Sequence, residues 1–149
     1  MNVFMVFFLS VKRCVRCHRS ISVSCIPSPT GDGPAPQFAH RMPELWRAAP
    51  KAGLSFELEA TAVGFYDLLC PDCGTITVRV DDREPMKKPR FDAYCTYRRI
   101  GGLEVVSGLD PGRRTVSVTV DAEPLDKMAI VFEHNRPDMD EHFERYAGA

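Results

Sequence analysis

The sequence predicts an all-β protein, an antiparallel β-sandwich or jelly roll with a short C-terminal helical turn. Three observations predict this fold class. Several short segments alternate apolar and polar residues with a period of two, which is the pattern of a half-buried strand. The 12 Pro and 10 Gly among 149 residues favour turns over long helices. No helical spacing of apolar residues occurs before Asp138.

The predicted strands follow one another from residue 54. Residues 54–62 alternate, and residues 63–69 continue as a second extended run in which Gly64 marks a bulge or bend. The Cys-Pro-Asp-Cys-Gly sequence at 70–74 forces a turn, after which residues 75–82 alternate again. The later strand candidates are residues 94–99, 103–106, 115–121 and the fully apolar 128–132. At the end, Met139, Phe143 and Tyr146 have helical spacing and predict a short helical turn that covers a sheet edge.

Composition divides the chain into three parts. Residues 1–26 begin with an apolar stretch that no basic residue precedes and no Ala-x-Ala site follows, so we expect an unstructured or misassigned leader without an export signal. Residues 27–53 are rich in Pro and Gly, which predicts a linker, and we expect residues 54–149 to form the β-sandwich domain. The net charge of -1 predicts no nucleic-acid partner, and the short apolar runs predict no membrane contact. Without a convincing export signal, we expect a cytoplasmic location.

Two Cys-x-x-Cys pairs are the candidate metal ligands. Tight turns of this kind present two sulfurs each, and two of them can supply the four thiolates of a structural zinc site. However, 52 residues separate the pairs, whereas zinc ribbons usually have about 15–20 between them. We therefore expect reduced cysteines and no cofactor. The alternative is a zinc-stabilised binding module that uses Cys14, Cys17, Cys70 and Cys73.

Residues 87–99 are the candidate ligand-binding segment, because they combine aromatic rings with Arg and Asp. Rings contact the apolar faces of sugars, and the forked donors of Arg bind hydroxyls and carboxylates. If the segment is a strand, one of its faces carries the predicted ligand-binding residues Arg90, Asp92, Tyr94 and Arg98. The opposite face carries Phe91, Cys95 and Tyr97, which we expect in the core. The alternative is cross-strand pairing that only stabilises the sheet.

A series of motifs runs through residues 54–133. It comprises Gly-Phe-Tyr-Asp-Leu-Leu-Cys-Pro-Asp-Cys-Gly at 64–74, Val-Arg-Val-Asp-Asp at 78–82, Arg-Phe-Asp-Ala-Tyr-Cys at 90–95 and Gly-Leu-Asp-Pro-Gly-Arg-Arg-Thr-Val at 108–116. Together these motifs resemble the β-sandwich accessory domain attached to some SGNH/GDSL-type hydrolases. The chain departs from that pattern at Cys70, where Gly is usual, and at Arg114, where His is usual.

The resemblance implies a module that contacts carbohydrate, an ester substrate or an SGNH-type catalytic domain. In such proteins the module accompanies an esterase domain that acts on acylated carbohydrate or similar esters. The catalytic blocks of that domain, Gly-Asp-Ser, Gly-x-Asn-Asp and Asp-x-x-His, do not occur in this sequence. We therefore assign no catalytic residues and expect an accessory module, either a fragment or a stand-alone copy, that is not itself an enzyme.

Overall fold

Antiparallel β-sheet dominates the computed structural model, which describes residues 5–8, 20–22, 46–48 and 50–147. The strands are β1 (Met5–Phe8), β2 (Ser20–Ser22), β3 (Trp46–Ala48), β4 (Gly53–Glu59), β5 (Val63–Leu69), β6 (Thr75–Val80), β7 (Met86–Pro89), β8 (Arg99–Val106) and β9 (Arg113–Val120). One sheet has the order β3-β1-β5-β8 and the other the order β2-β4-β9-β6-β7. All these pairings are antiparallel.

The main hydrophobic core takes side chains from both sheets. Alternate residues of β4, β6 and β9 are buried, as their sequence pattern predicts, and β5 contributes from the other sheet. The Phe56 ring of β4 meets the Phe65 ring of β5 edge to face, with 6.5 Å between ring centres. The predicted all-β class with short C-terminal helical pieces is therefore confirmed, and its finer description as a sandwich or jelly roll stays a prediction.

The predicted irregularity at Gly64 is present. The register of β5 against β8 shifts between Val63 and Gly64. A Cβ at Gly64 would lie 3.0 Å from the carbonyl oxygen of Leu103. Glycine fits here without displacing β8, whereas a side chain would require the backbone at Leu103 to shift.

Two predicted strands are wrong. Residues 94–99 form a turn, with strand structure beginning only at Arg99. Residues 128–132 belong mainly to helix α1 (Lys127–Ile130), because the Asp126 carboxylate caps it by accepting the Ala129 N–H at 3.1 Å. Helical structure therefore begins well before Asp138. It continues as a 3₁₀ turn (Glu133–Asn135), α2 (Arg136–Glu141) and α3 (Phe143–Tyr146).

These helical pieces cover the end of β5 and form a second, smaller core. It consists of Leu69, Phe91, Cys95, Val131, Met139 and Tyr146. Of the three residues with predicted helical spacing, Met139 and Tyr146 are buried and Phe143 is exposed. Within the described parts of the chain, no helix has the length and apolar character needed to cross a membrane.

Candidate functional site

A buried ion pair fixes the segment that follows β7. The Arg90 guanidinium donates to both carboxylate oxygens of Asp67, from Nε at 2.5 Å and from Nη2 at 2.5 Å. Arg90 is only 5% exposed and Asp67 only 2%. The Arg90 backbone N–H also donates to the carbonyl of Gly74 at 2.8 Å. Arg90 thus ties its segment both to β5 and to the end of the 70–74 turn.

The Asp92 side chain organises the turn beyond Arg90. Its Oδ1 accepts the backbone N–H of Tyr94 at 3.0 Å, and its Oδ2 accepts a hydrogen bond from Nη2 of Arg99. The Asp92 carbonyl accepts the Cys95 N–H at 3.0 Å, which closes the turn. Burial raises the pKa of the Asp92 carboxyl, but the hydrogen bonds from Arg99 and Tyr94 outweigh it and leave the pKa below its ordinary value.

The turn presents Tyr94 to an exposed group of rings from the C-terminal region. The Tyr94 ring meets the Phe132 ring edge to face at 4.8 Å, and the Phe132 ring stacks on that of His134 at 5.4 Å. We call Tyr94, Phe132 and His134 the aromatic cluster. The Arg99 guanidinium lies 5.8 Å from the centre of the Tyr94 ring. The cluster is exposed, since Tyr94 is 59% and Phe132 37% accessible.

The structure separates the four predicted ligand-binding residues. Asp92, Tyr94 and Arg98 reach the surface, whereas Arg90 is buried in its ion pair with Asp67. Tyr97 is 59% exposed and does not face the core, contrary to the strand pattern. The alternation fails because the chain forms a turn at residues 93–97 instead of a strand. Phe91 and Cys95 are nevertheless buried, as predicted.

Sequence reasoning missed the partners of Tyr94 in this surface. Phe132 and His134 lie nearly forty residues further along the chain, with Phe132 at the end of the predicted strand 128–132. The backbone N–H of Phe132 reaches the carbonyl of Ala93 at 3.5 Å, which brings the two segments together. The only sequence feature that pointed to this contact is the apolar character of residues 128–132.

A second chemical group lies in the 70–74 turn. The Sγ atoms of Cys70 and Cys73 are 2.7 Å apart, and each lies within 3.4 Å of the Leu68 carbonyl oxygen. Both thiols are buried. The contact with Cys73 and burial raise the pKa of the Cys70 thiol far above its ordinary value, so Cys70 is protonated at neutral pH in the absence of a metal. Cys14 and Cys17 lie outside the described residues, so the four-cysteine zinc set stays a prediction.

No protein-family model, no curated protein and no solved structure matches this chain. The resemblance to accessory domains of SGNH/GDSL-type hydrolases therefore stays a prediction from the motifs quoted above.

Proposed function

We propose that this chain is a non-catalytic binding module that contacts the carbohydrate part of an acylated substrate at the aromatic cluster. The observation that carries the proposal is the set of exposed rings held in place by one another. Exposed aromatic groups are characteristic of interaction sites, because a complex removes them from water. The resemblance to accessory domains supports the same role and suggests an SGNH-type catalytic domain as the protein partner.

The charges beside the rings favour an uncharged polyol. Asp92 and Arg99 have opposite charges, which cancel, and both side chains are partly exposed next to Tyr94. A carboxylate accepts and a guanidinium donates hydrogen bonds, so together they can bind neighbouring hydroxyl groups. The apolar ring faces suit the C–H faces of a sugar ring. A neutral oligosaccharide matches this combination better than a strongly charged peptide or nucleic acid.

Contacts within the chain keep two of the three rings of the cluster in a fixed arrangement. Asp92 fixes the backbone at Tyr94, and the contact between Phe132 and Ala93 fixes the second ring relative to the first. Binding to side chains that are already held in place loses less conformational entropy than binding to mobile ones. This order supports recognition of a small, weakly held ligand such as an oligosaccharide.

An array of neutral oligosaccharides, with and without O-acetyl groups, tests whether the chain binds them. NMR titration then measures the affinity for those that bind. Tyr94→Ala and Phe132→Ala should each weaken binding by roughly 5- to 150-fold, which corresponds to about 1–3 kcal/mol. Tyr97→Ala is the matched control, because Tyr97 has the same residue type and exposed fraction but is not in the cluster. Loss of thermal stability in Tyr94→Ala with unchanged binding would refute the proposed surface.

The non-catalytic part is tested with short acyl esters. The purified chain should hydrolyse them no faster than buffer alone. Turnover that persists through repurification and disappears on substitution of a residue of this chain would contradict the proposal. Copurification with an SGNH-type catalytic domain encoded by an adjacent open reading frame would support the predicted protein partner.

A further inference from the structure

We infer that Cys70, Asp72 and Cys73 form a binding site for one zinc ion, without any ligand from the first part of the chain. Their ligand atoms, two Sγ and one carboxylate oxygen, all lie within 4.8 Å of one another. Two thiolates and a carboxylate are ordinary zinc ligands, and a water molecule can occupy the fourth position of a tetrahedral site. The site lies apart from the aromatic cluster and does not depend on the proposed function.

The backbone of the turn already has the conformation that such a site requires. The Cys73 N–H donates to the Cys70 carbonyl at 3.1 Å, so the chain reverses between the two cysteines and points both thiols in one direction. Two thiolates bound to one zinc ion lie about 3.7 Å apart, given Zn–S distances of about 2.3 Å. The thiols, which are 2.7 Å apart, therefore have to separate by about 1 Å.

The third ligand provides access for the ion. Cys70 and Cys73 are almost completely buried, whereas Asp72 between them is only half-buried. Of the three proposed ligands, Asp72 is therefore the one that solvent reaches. A hydrated cation can meet Asp72 first and lose water as the thiols deprotonate.

Lys127 supplies the charge that balances the site. Its ammonium group is buried and donates to the Tyr146 carbonyl at 2.9 Å. Burial lowers the pKa of this lysine, and negative charge on Cys73, Asp72 and Cys70 acts in the opposite direction, towards the charged form. Zinc with two thiolates and one carboxylate has a net charge of about -1, and the lysine brings the buried group to zero. Neutral overall charge is what allows charged groups to remain in an apolar core.

Zinc binding at this site displaces protons. Each thiol loses its proton to solvent as its sulfur forms a bond to zinc, so one zinc ion releases about two protons and no electrons are transferred. Cys95 is not a ligand, because its sulfur does not belong to the group of ligand atoms that lie within 4.8 Å of one another; it contacts Asp92 instead, at 3.3 Å from the backbone N–H and 3.4 Å from the carboxylate. It therefore serves as an internal control.

Metal titration tests the inference in the full chain with Cys14, Cys17 and Cys25 replaced by Ser. Under reducing conditions this protein should bind about one Co²⁺ per chain, with the charge-transfer absorption of two thiolates, and Zn²⁺ should displace the cobalt. Cys95→Ser should leave the stoichiometry unchanged. Asp72→Asn should weaken zinc binding by at least about tenfold, since loss of a ligand costs no less than loss of its supporting contacts.

Peptide-resolved alkylation provides a second measurement that needs no substitution in the buried turn. Zinc should slow the reaction of N-ethylmaleimide with Cys70 and Cys73 and leave the reaction of Cys95 unchanged. Labelling of all three cysteines that is insensitive to zinc would overturn the inference. Metal binding that occurs only when Cys14 and Cys17 are present would also overturn it. A third contradicting result is that reduced Cys70 and Cys73 bind no cobalt and form a disulfide in air.

Discussion

Removal of the Asp67 carboxylate should destabilise the protein severely. In Asp67→Ala the Arg90 guanidinium stays buried without the carboxylate to which it donates two hydrogen bonds of 2.5 Å. Breaking a buried pair from one side costs about 3–5 kcal/mol, because the remaining charge is desolvated without compensation. A domain of this size has a free energy of unfolding of about 5–15 kcal/mol, so the substitution removes a large part of it.

Urea unfolding followed by circular dichroism measures this loss by linear extrapolation. Glu57→Gln is the matched control, because it breaks the exposed pair between Glu57 and Arg113 and should cost only about 0–1 kcal/mol. The double variant Asp67→Leu/Arg90→Met should be more stable than Asp67→Leu alone, since it removes the unpaired charge. A loss below about 1 kcal/mol in Asp67→Ala, or a double variant less stable than the single one, would refute the reasoning.

Two further substitutions test packing and electrostatics elsewhere in the sheets. Gly101→Ala should cost about 1–3 kcal/mol of stability, because the added Cβ would lie 2.8 Å from Cγ of Leu69. Gly102→Ala is the control and should be close to neutral in the same denaturation assay, because its Cβ would lie 3.8 Å from the nearest atom, in the Tyr66 ring. The backbone N–H of Thr115 donates to the Asp81 carboxylate and, together with Arg114, lowers its pKa below the ordinary 3.8. The parent should therefore be more stable than Asp81→Asn above pH 3.8, and this advantage should disappear as the pH falls through the lowered pKa. A difference in the free energy of unfolding that stays constant from about pH 7 to about pH 2 would contradict this explanation.

Strands with strict alternation could be predicted because burial alone determines them. In β6 the apolar residues Ile76, Val78 and Val80 all face the core, and in β9 the same holds for the valines. A shift by one residue would expose the whole set, so the register is strongly specified. The bulge at Gly64 was also predictable, since glycine within a strand commonly marks such a position.

The turn and helix around the site could not be predicted from alternation. The hydrogen bond from the Tyr94 N–H to the Asp92 side chain competes with strand formation, although the residues between 94 and 99 favour strands. In the same way Asp126 starts a helix where apolar residues suggested a strand. Local side-chain contacts therefore decided the structure at both places against the intrinsic preference of the segment.

The candidate site itself was only partly predictable for a different reason. Asp92 and Tyr94 were identified from the mixture of aromatic and charged residues in their segment. The burial of Arg90, in contrast, depends on Asp67, which lies 23 residues earlier in the chain. Likewise the partner of Tyr94 is Phe132, from a distant helical segment. A contact between positions far apart in sequence leaves no pattern that a single sequence can show.

The edge strand β7 affects how the protein behaves at high concentration. It lies at the end of the five-stranded sheet, and Lys87, Lys88 and Pro89 on it are exposed. An unpaired strand edge otherwise invites a strand of another molecule to extend the sheet. Proline has no N–H to donate to such a strand, and the exposed charge of Lys88 would meet the same charge on a second copy. Lys87 is already paired with Asp121 and Glu123, so Lys88 and Pro89 are the residues that oppose growth of the sheet into a polymer.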